Sequence, residues 1–421
     1  MIKFGKTLPL AAAVAALGAS GAAQAFDFST ADKQWTFSVD GNVNVHYIYS
    51  SCEGVDKTKT VAGGLACTGT KSGSSVSDVG NGLLPAAITF GIATQQEGFD
   101  IGAHFGFYPG IATNNGGSPN LGQGASNGAT NTALGTTGLD VRQVYMTFGN
   151  KDMGTFLLGR NFGLFGFDAI INDMTIPGVG VAGSMSSANP ANTSLGSIGL
   201  GYIYTDTLAQ MNYTTPDFAG FTGTLGIFNP VNSLTNGDTV APKKQPGFHG
   251  KLAYTNQLNA QTKLYASAAF IDQKQDYINA GGTAYSYNSF GADVFGKLDW
   301  NDLEGFLYYY HGSGLGTTGL FVLSDDGAGH KRSSSGYLAQ LTYKINRVKL
   351  GVNYGESRLN LAPGENVPAL VKSNRKVTGG VYYSLTKNLT LLSEISDVRA
   401  KAHSGDSNSS VNFNVGAFLS F

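Results

Sequence analysis

The chain is poor in charge. Only 13% of its 421 residues are Asp, Glu, Lys or Arg, about half the share of an average soluble protein. The 27 basic and 28 acidic side chains nearly cancel, to a net charge of −1. That balance argues against a nucleic acid or other polyanion as partner. Long apolar runs are missing too: beyond residue 25 no window offers the ~18 consecutive apolar residues of a spanning helix. Cysteine is nearly absent. Cys52 and Cys67 lie in a polar stretch without nearby histidines. They make a poor metal site and, behind a secretory leader, read as a loop disulfide.

Reaction chemistry leaves no signature either. His46, His104, His249, His311, His330 and His403 are scattered, and no serine stands in a nucleophile elbow. Gly122, Gly124 and Gly128 follow no apolar strand and precede no helix, so they are not a phosphate loop. The expectation is no catalytic residue, no cofactor and no metal.

What is present begins with a secretory leader over residues 1–25. Lys3 and Lys6 open it, Leu8 to Leu17 is a short apolar run, and Ala23-Gln24-Ala25 is a small-x-small cleavage site. Cleavage is expected near Ala25. No linker or composition shift divides residues 26–421, which read as one domain.

Glycine (59), Phe (25) and Tyr (20) are abundant, and the apolar residues alternate. In the last eleven residues, Val411, Phe413, Val415, Ala417, Leu419 and Phe421 share a face, with Phe418 the exception on the other. From Trp35 to Ser50, Phe37, Val39, Val43, Val45, Tyr47 and Tyr49 alternate with Ser38, Asp40, Asn42, Asn44 and His46. A period of two is a strand, and these lengths suit a tilted membrane strand. Further strands are expected near 83–94, 99–110, 139–149, 155–166, 201–216, 221–229, 247–257, 261–275, 284–299, 303–312, 333–345, 347–359, 375–386 and 389–401. With the two ends that makes sixteen. Tight turns and longer loops alternate between them, as in outer-membrane barrels. The fold class is therefore all-β: a 16-stranded antiparallel transmembrane β-barrel. Closure satisfies every backbone donor in lipid, and sixteen strands leave an aqueous lumen.

Aromatic stripes read as interfacial belts, among them Phe306, Tyr308 and Tyr310 on one strand and Tyr337 and Tyr343 on another. The opposite faces carry Asp40, Asn42, Asn44, His46, Asp100, His104, Lys251, Asp293 and Lys297, mixed in sign, and are expected to line the lumen. The connection 167–200 is apolar for a loop, with Ile170, Ile171, Met174, Ile176, Val179 and Val181 beside Asp168 and Asp173. Folded inward, it would bury its apolar side.

These residues resemble the general bacterial porins. Gly159-Arg160-Asn161-Phe162-Gly163 followed by Asp168, then Asn172-Asp173-Met174 and Pro177-Gly178, is similar to the strand-five end and inward-folded third extracellular loop of trimeric porins. Arg142 before Tyr145, and Tyr213 to Phe221, fit the neighbouring strands. The resemblance implies a homotrimer among outer-membrane lipid and lipopolysaccharide, passing small hydrophilic solutes and ions. It also implies a constriction in which Asp168 and Asp173 face Arg142 and Arg160. Gly178 stands where the family has a second acidic residue, so selectivity is expected to be weak. A substrate-specific channel is the alternative, with an outer-membrane enzyme barrel less favoured.

Overall fold

A computed structural model describes residues 26–53, 61–67, 75–111, 139–182, 193–232, 239–240, 243–279 and 281–421. The leader and its cleavage site lie outside the described residues. The chain runs through β1 (Phe26–Ser29), β2 (Trp35–Glu53), β3 (Ser75–Gly80), β4 (Ala87–Gln96), β5 (Phe99–Pro109), β6 (Leu139–Asn150), β7 (Gly154–Phe162), β8 (Thr207–Thr214), β9 (Phe221–Phe228) and β10 (Thr239–Val240). It continues through β11 (Gly247–Asn259), β12 (Thr262–Ile278), β13 (Ala284–Trp300), β14 (Leu303–Ser313), β15 (Ser333–Ile345), β16 (Val348–Leu359), β17 (Val371–Ser384), β18 (Leu389–Ala402) and β19 (Ser407–Ser420).

Sixteen of these close the barrel: β2, β4 to β9, and β11 to β19, each antiparallel to its neighbours. β19 pairs with β2 from Ser420↔Asn42 to Ser409↔Glu53, which removes the edge. Where β19 runs out, β1 takes over beside β2, with Phe26↔Val39 and Ser29↔Thr36. Both ends of the described chain thus lie at the short-turn rim. Some turns there need a left-handed residue, supplied by Glu97-Gly98, Asn301 and Asn346, with φ of 50°, 84°, 50° and 53°.

Alternation holds on the wall. Phe413, Val415 and Leu419 are 40–46% exposed, whereas Asn412 and Asn414 are 1–2% exposed. Phe418 points inward onto Tyr382 and Leu392. On β14 the belt expectation is corrected. Leu307 and Tyr309 face out, at 70% and 49% exposure, while Phe306, Tyr308 and Tyr310 face in, at 0–3%. Both faces of that strand are apolar, so alternation alone does not orient it. The deciding partners come from the connection between β7 and β8: Phe165, Ala169 and Ile203 join the inner cluster of Phe306, Tyr308 and Tyr310.

Other departures are at strand ends. The sixth wall strand starts at Thr207, which leaves 201–206 in the loop. The second is split into β3 and β4, both pairing with β2. The wall is uneven, with 8 residues in each of β8 and β9 against 17 in each of β12 and β13.

Candidate pore constriction

Between β7 and β8, residues 163–182 and 193–206 lie along the inner wall. This connection opens with a short helix, Phe167–Asn172, preceded by Gly166 at φ 75°. From there it is fastened strand by strand. Asp293 of β13 accepts the Gly166 N–H at 2.6 Å, and Gln340 of β15 accepts the Met174 N–H at 2.7 Å. Glu394 of β18 accepts the N–H groups of Val179 and Gly180 at 2.9 and 2.7 Å. Asn414 (3.0 Å) and the Tyr382 hydroxyl (2.6 Å) complete the Glu394 set. Lys376 of β17 donates to the Gly196 carbonyl at 2.9 Å. Charged groups bond backbone amides more strongly than neutral ones, so these contacts set the loop's position. Its apolar side is buried: Met174, Ile176, Val179 and Val181 are 0–5% exposed.

The four expected constriction residues fall into two groups. Asp168 accepts from Lys251 at 2.7 Å, Tyr265 at 3.0 Å and Ser267 at 2.5 Å. Asp173 is 3% exposed. It accepts from Thr175, from Asn353 at 3.2 Å and from Tyr202 at 3.0 Å. Arg142 lies over the Tyr108 ring at 5.1 Å and pairs with Asp140 at 3.2 Å. Arg160 stands in register with Val144 and Ala209, both exposed on the outer face. Its Nε is buried without a hydrogen-bond partner among the described residues. The acidic neighbours of the two arginines are Asp140 and Asp206, not Asp168 and Asp173.

Asp206 and Tyr204, both half-buried at the end of the loop, are the functional candidates that sequence reasoning missed. The stretch 201–216 alternates well enough to pass for one strand, which hides the loop end inside it. Burial raises the Asp206 carboxyl above its ordinary value, against the Thr207 N–H and the charges of Arg160 and Arg142. Burial likewise pushes the Tyr204 phenol up to about 12, against the pull of Arg142.

The lumen-lining candidates divide as well. Asn44 is covered by 81–84, donating to the Leu84 carbonyl and accepting the Gly82 N–H, each at 2.8 Å. Asn42 and His46 are equally buried. Asp40, His104, Lys251 and Lys297 keep access, and Asp100 is exposed. His104 stacks on Tyr145 at 5.1 Å. Lys297 pairs with Glu304 at 2.9 Å and Asp299 at 3.5 Å. Asp293 is buried in its contact with the loop. Above this level Cys52 and Cys67 form a disulfide. The bond holds segment 61–67, whose Val61, Leu65 and Ala66 pack on Leu359, Leu370, Val398 and Ala400.

A closed sixteen-strand wall, apolar outside and charged within, with a loop tied across its inner face, defines an outer-membrane channel. The sequence profile of the Gram-negative porin family matches residues 11–403. The chain belongs to that family. Its fold is similar to that of the outer membrane channel DcaP of Acinetobacter baumannii, with TM-score 0.63 and 14% identity over 94% of this chain and 99% of that one. It is also similar to an anion-selective porin from Comamonas acidovorans (TM-score 0.56, 14% identity, 92% and 100% covered). OmpF of Salmonella typhi gives TM-score 0.56 at 12% identity, with 94% and 100% covered. No curated protein sequence matches.

Proposed function

We propose that this porin passes small hydrophilic solutes and ions by passive diffusion and performs no chemistry. In this reading the mature chain begins near Ala25, assembles as a homotrimer and sits among outer-membrane lipid and lipopolysaccharide. The observation that carries it is the accessible part of the inner face, where Asp40, Asp100, His104, Lys251 and Lys297 mix both signs of charge. Such a wall hydrates a solute without holding it. The constriction lies between the loop end, Tyr204 and Asp206, and the β6 wall at Arg142 and Asp140. Asp168 and Asp173 act from within the loop, by fixing it.

Weak ion selectivity follows from the nearly balanced charges around Arg142. Liposome swelling tests the proposal, with neutral sugars of increasing size. Rates should fall smoothly with size and show no saturation. Preferential, saturable entry of one solute would replace general diffusion with the substrate-specific reading.

A further inference from the structure

The outer wall is grooved where it is lowest. Two recesses, of about 550 Å³ and 450 Å³, share Met211 and Ile227 and so form one trough across β7, β8, β9 and β11. Its floor follows the ladder. Phe156, Tyr213, Leu225 and Phe270 meet in one cross-strand row around Gly250. A side chain at Gly250 would meet Phe270 Cε1 at 2.5 Å and Leu225 Cδ2 at 2.7 Å, so the glycine lets both lie flat across the row. The next row holds Leu158, Met211, Ile227 and Phe248, and Ala209 stands above. Three outward rows at ~3.4 Å per residue span about 14 Å, close to half of a ~30 Å hydrocarbon core.

The trough ends at the long-loop rim under Lys243 and Lys244. Lys244 is exposed, whereas Lys243 donates to the Asp276 carbonyl at 2.9 Å. The acidic groups on the neighbouring outward face of β12 are Asp272 and Asp276, and Asp276 lies 3.9 Å from Lys274. Three lysines against two aspartates leave one positive charge in excess.

We propose that this trough binds one phosphorylated lipid of the outward leaflet, with an acyl chain along the apolar rows and the phosphate at Lys243 and Lys244. The length of one leaflet and the cationic end both specify that occupant. The proposal rests on the outer-membrane reading, with the long loops facing outward. It gives the contact with lipid a place.

Native mass spectrometry of the full chain tests it, with dimyristoyl phosphatidate as probe against dimyristoylglycerol and inorganic phosphate. The wild type should hold one phosphatidate and neither control. Lys243→Gln with Lys244→Gln should weaken phosphatidate binding by about 5- to 30-fold, since each lysine near a lipid phosphate contributes about a factor of five. Conductance should not change. Ala209→Trp, which fills the trough without touching charge, should also displace the lipid. Equal binding by wild type and the double lysine variant overturns the proposal, as does equal binding of phosphatidate and dimyristoylglycerol. Phosphate binding without lipid binding overturns it too. So does dissociation of the oligomer by Ala209→Trp, which would make the trough a contact between copies. A wild type without conductance would instead refute the channel reading and leave the lipid measurement standing.

Discussion

Replacing Arg142 by Gln removes the cation opposite the loop end, and its effect on selectivity can be sized. The guanidinium sits over Tyr108 at 5.1 Å and beside Asp140 at 3.2 Å. A unit charge ~8 Å from a permeating ion contributes about 0.5 kcal/mol at the dielectric of water and about 2 kcal/mol at an effective value of 20. Taking the smaller figure, a cation gains and an anion loses that amount. The permeability ratio then changes by about fivefold, at 1.4 kcal/mol per factor of ten. Under a tenfold salt gradient, a pore near neutrality would shift its reversal potential by roughly 30 mV toward the cation limit, given 59 mV per tenfold ratio for one charge.

The variant also takes one partner from Asp140, which is 3% exposed, and weakening the contacts of a buried charge is costly. Arg142→Gln with Asp140→Asn avoids that cost and restores the charge balance, so its reversal potential should return close to that of the wild type. Heat-modifiable gel mobility checks folding, and a planar bilayer in a KCl gradient reads selectivity. A folded Arg142→Gln protein with an unchanged reversal potential would refute the placement of the constriction.

Asp168→Asn leaves Lys251 largely enclosed without its carboxylate, at 14% side-chain exposure. It should cost about 3–5 kcal/mol, seen as a lower unfolding midpoint, and a second change, Lys251→Met, should recover most of it. Glu394→Gln weakens the charge-assisted bonds from Val179 and Gly180. A loss of about 1 kcal/mol per bond should appear as added open-channel noise. Arg332 and Glu365 tie two mouth loops through a buried pair at 2.5 Å. The guanidinium holds the Glu365 carboxyl below its ordinary 4.5. A lowered carboxyl stabilises the fold above its unfolded pKa, and that stabilisation is lost as pH falls through the folded value. Protease sensitivity of the loop 360–370 should therefore rise only at pH below the usual carboxylate range, and Glu365→Gln should show it at neutral pH. Reduction of Cys52–Cys67, which closes a 15-residue interval, should lower stability by about 3 kcal/mol on the chain-entropy account.

The wall was legible because lipid and water impose opposite chemistry on alternate residues. Each of the sixteen spans read from periodicity has its counterpart among the wall strands, from Trp35–Glu53 to Ser407–Ser420. Strand ends were less legible, since backbone pairing continues through polar stretches, as at β12, which runs on through Asp272 to Asp276 and ends at Ile278. The orientation of β14 was hidden by its two apolar faces. The site was the least legible part. Sequence shows that Asp168 and Asp173 are acidic, but not that wall groups such as Lys251 and Asn353 engage them. Those partners lie far away in the chain and meet only through closure. Asp206 carried no local signal at all.

Single-channel recording of the purified protein tests the central claim most directly. A water-filled lumen predicts discrete conductance steps that grow in proportion to the conductivity of the bathing salt from low to high KCl. A folded protein that inserts yet gives no steps, or steps that saturate at low salt, would contradict it.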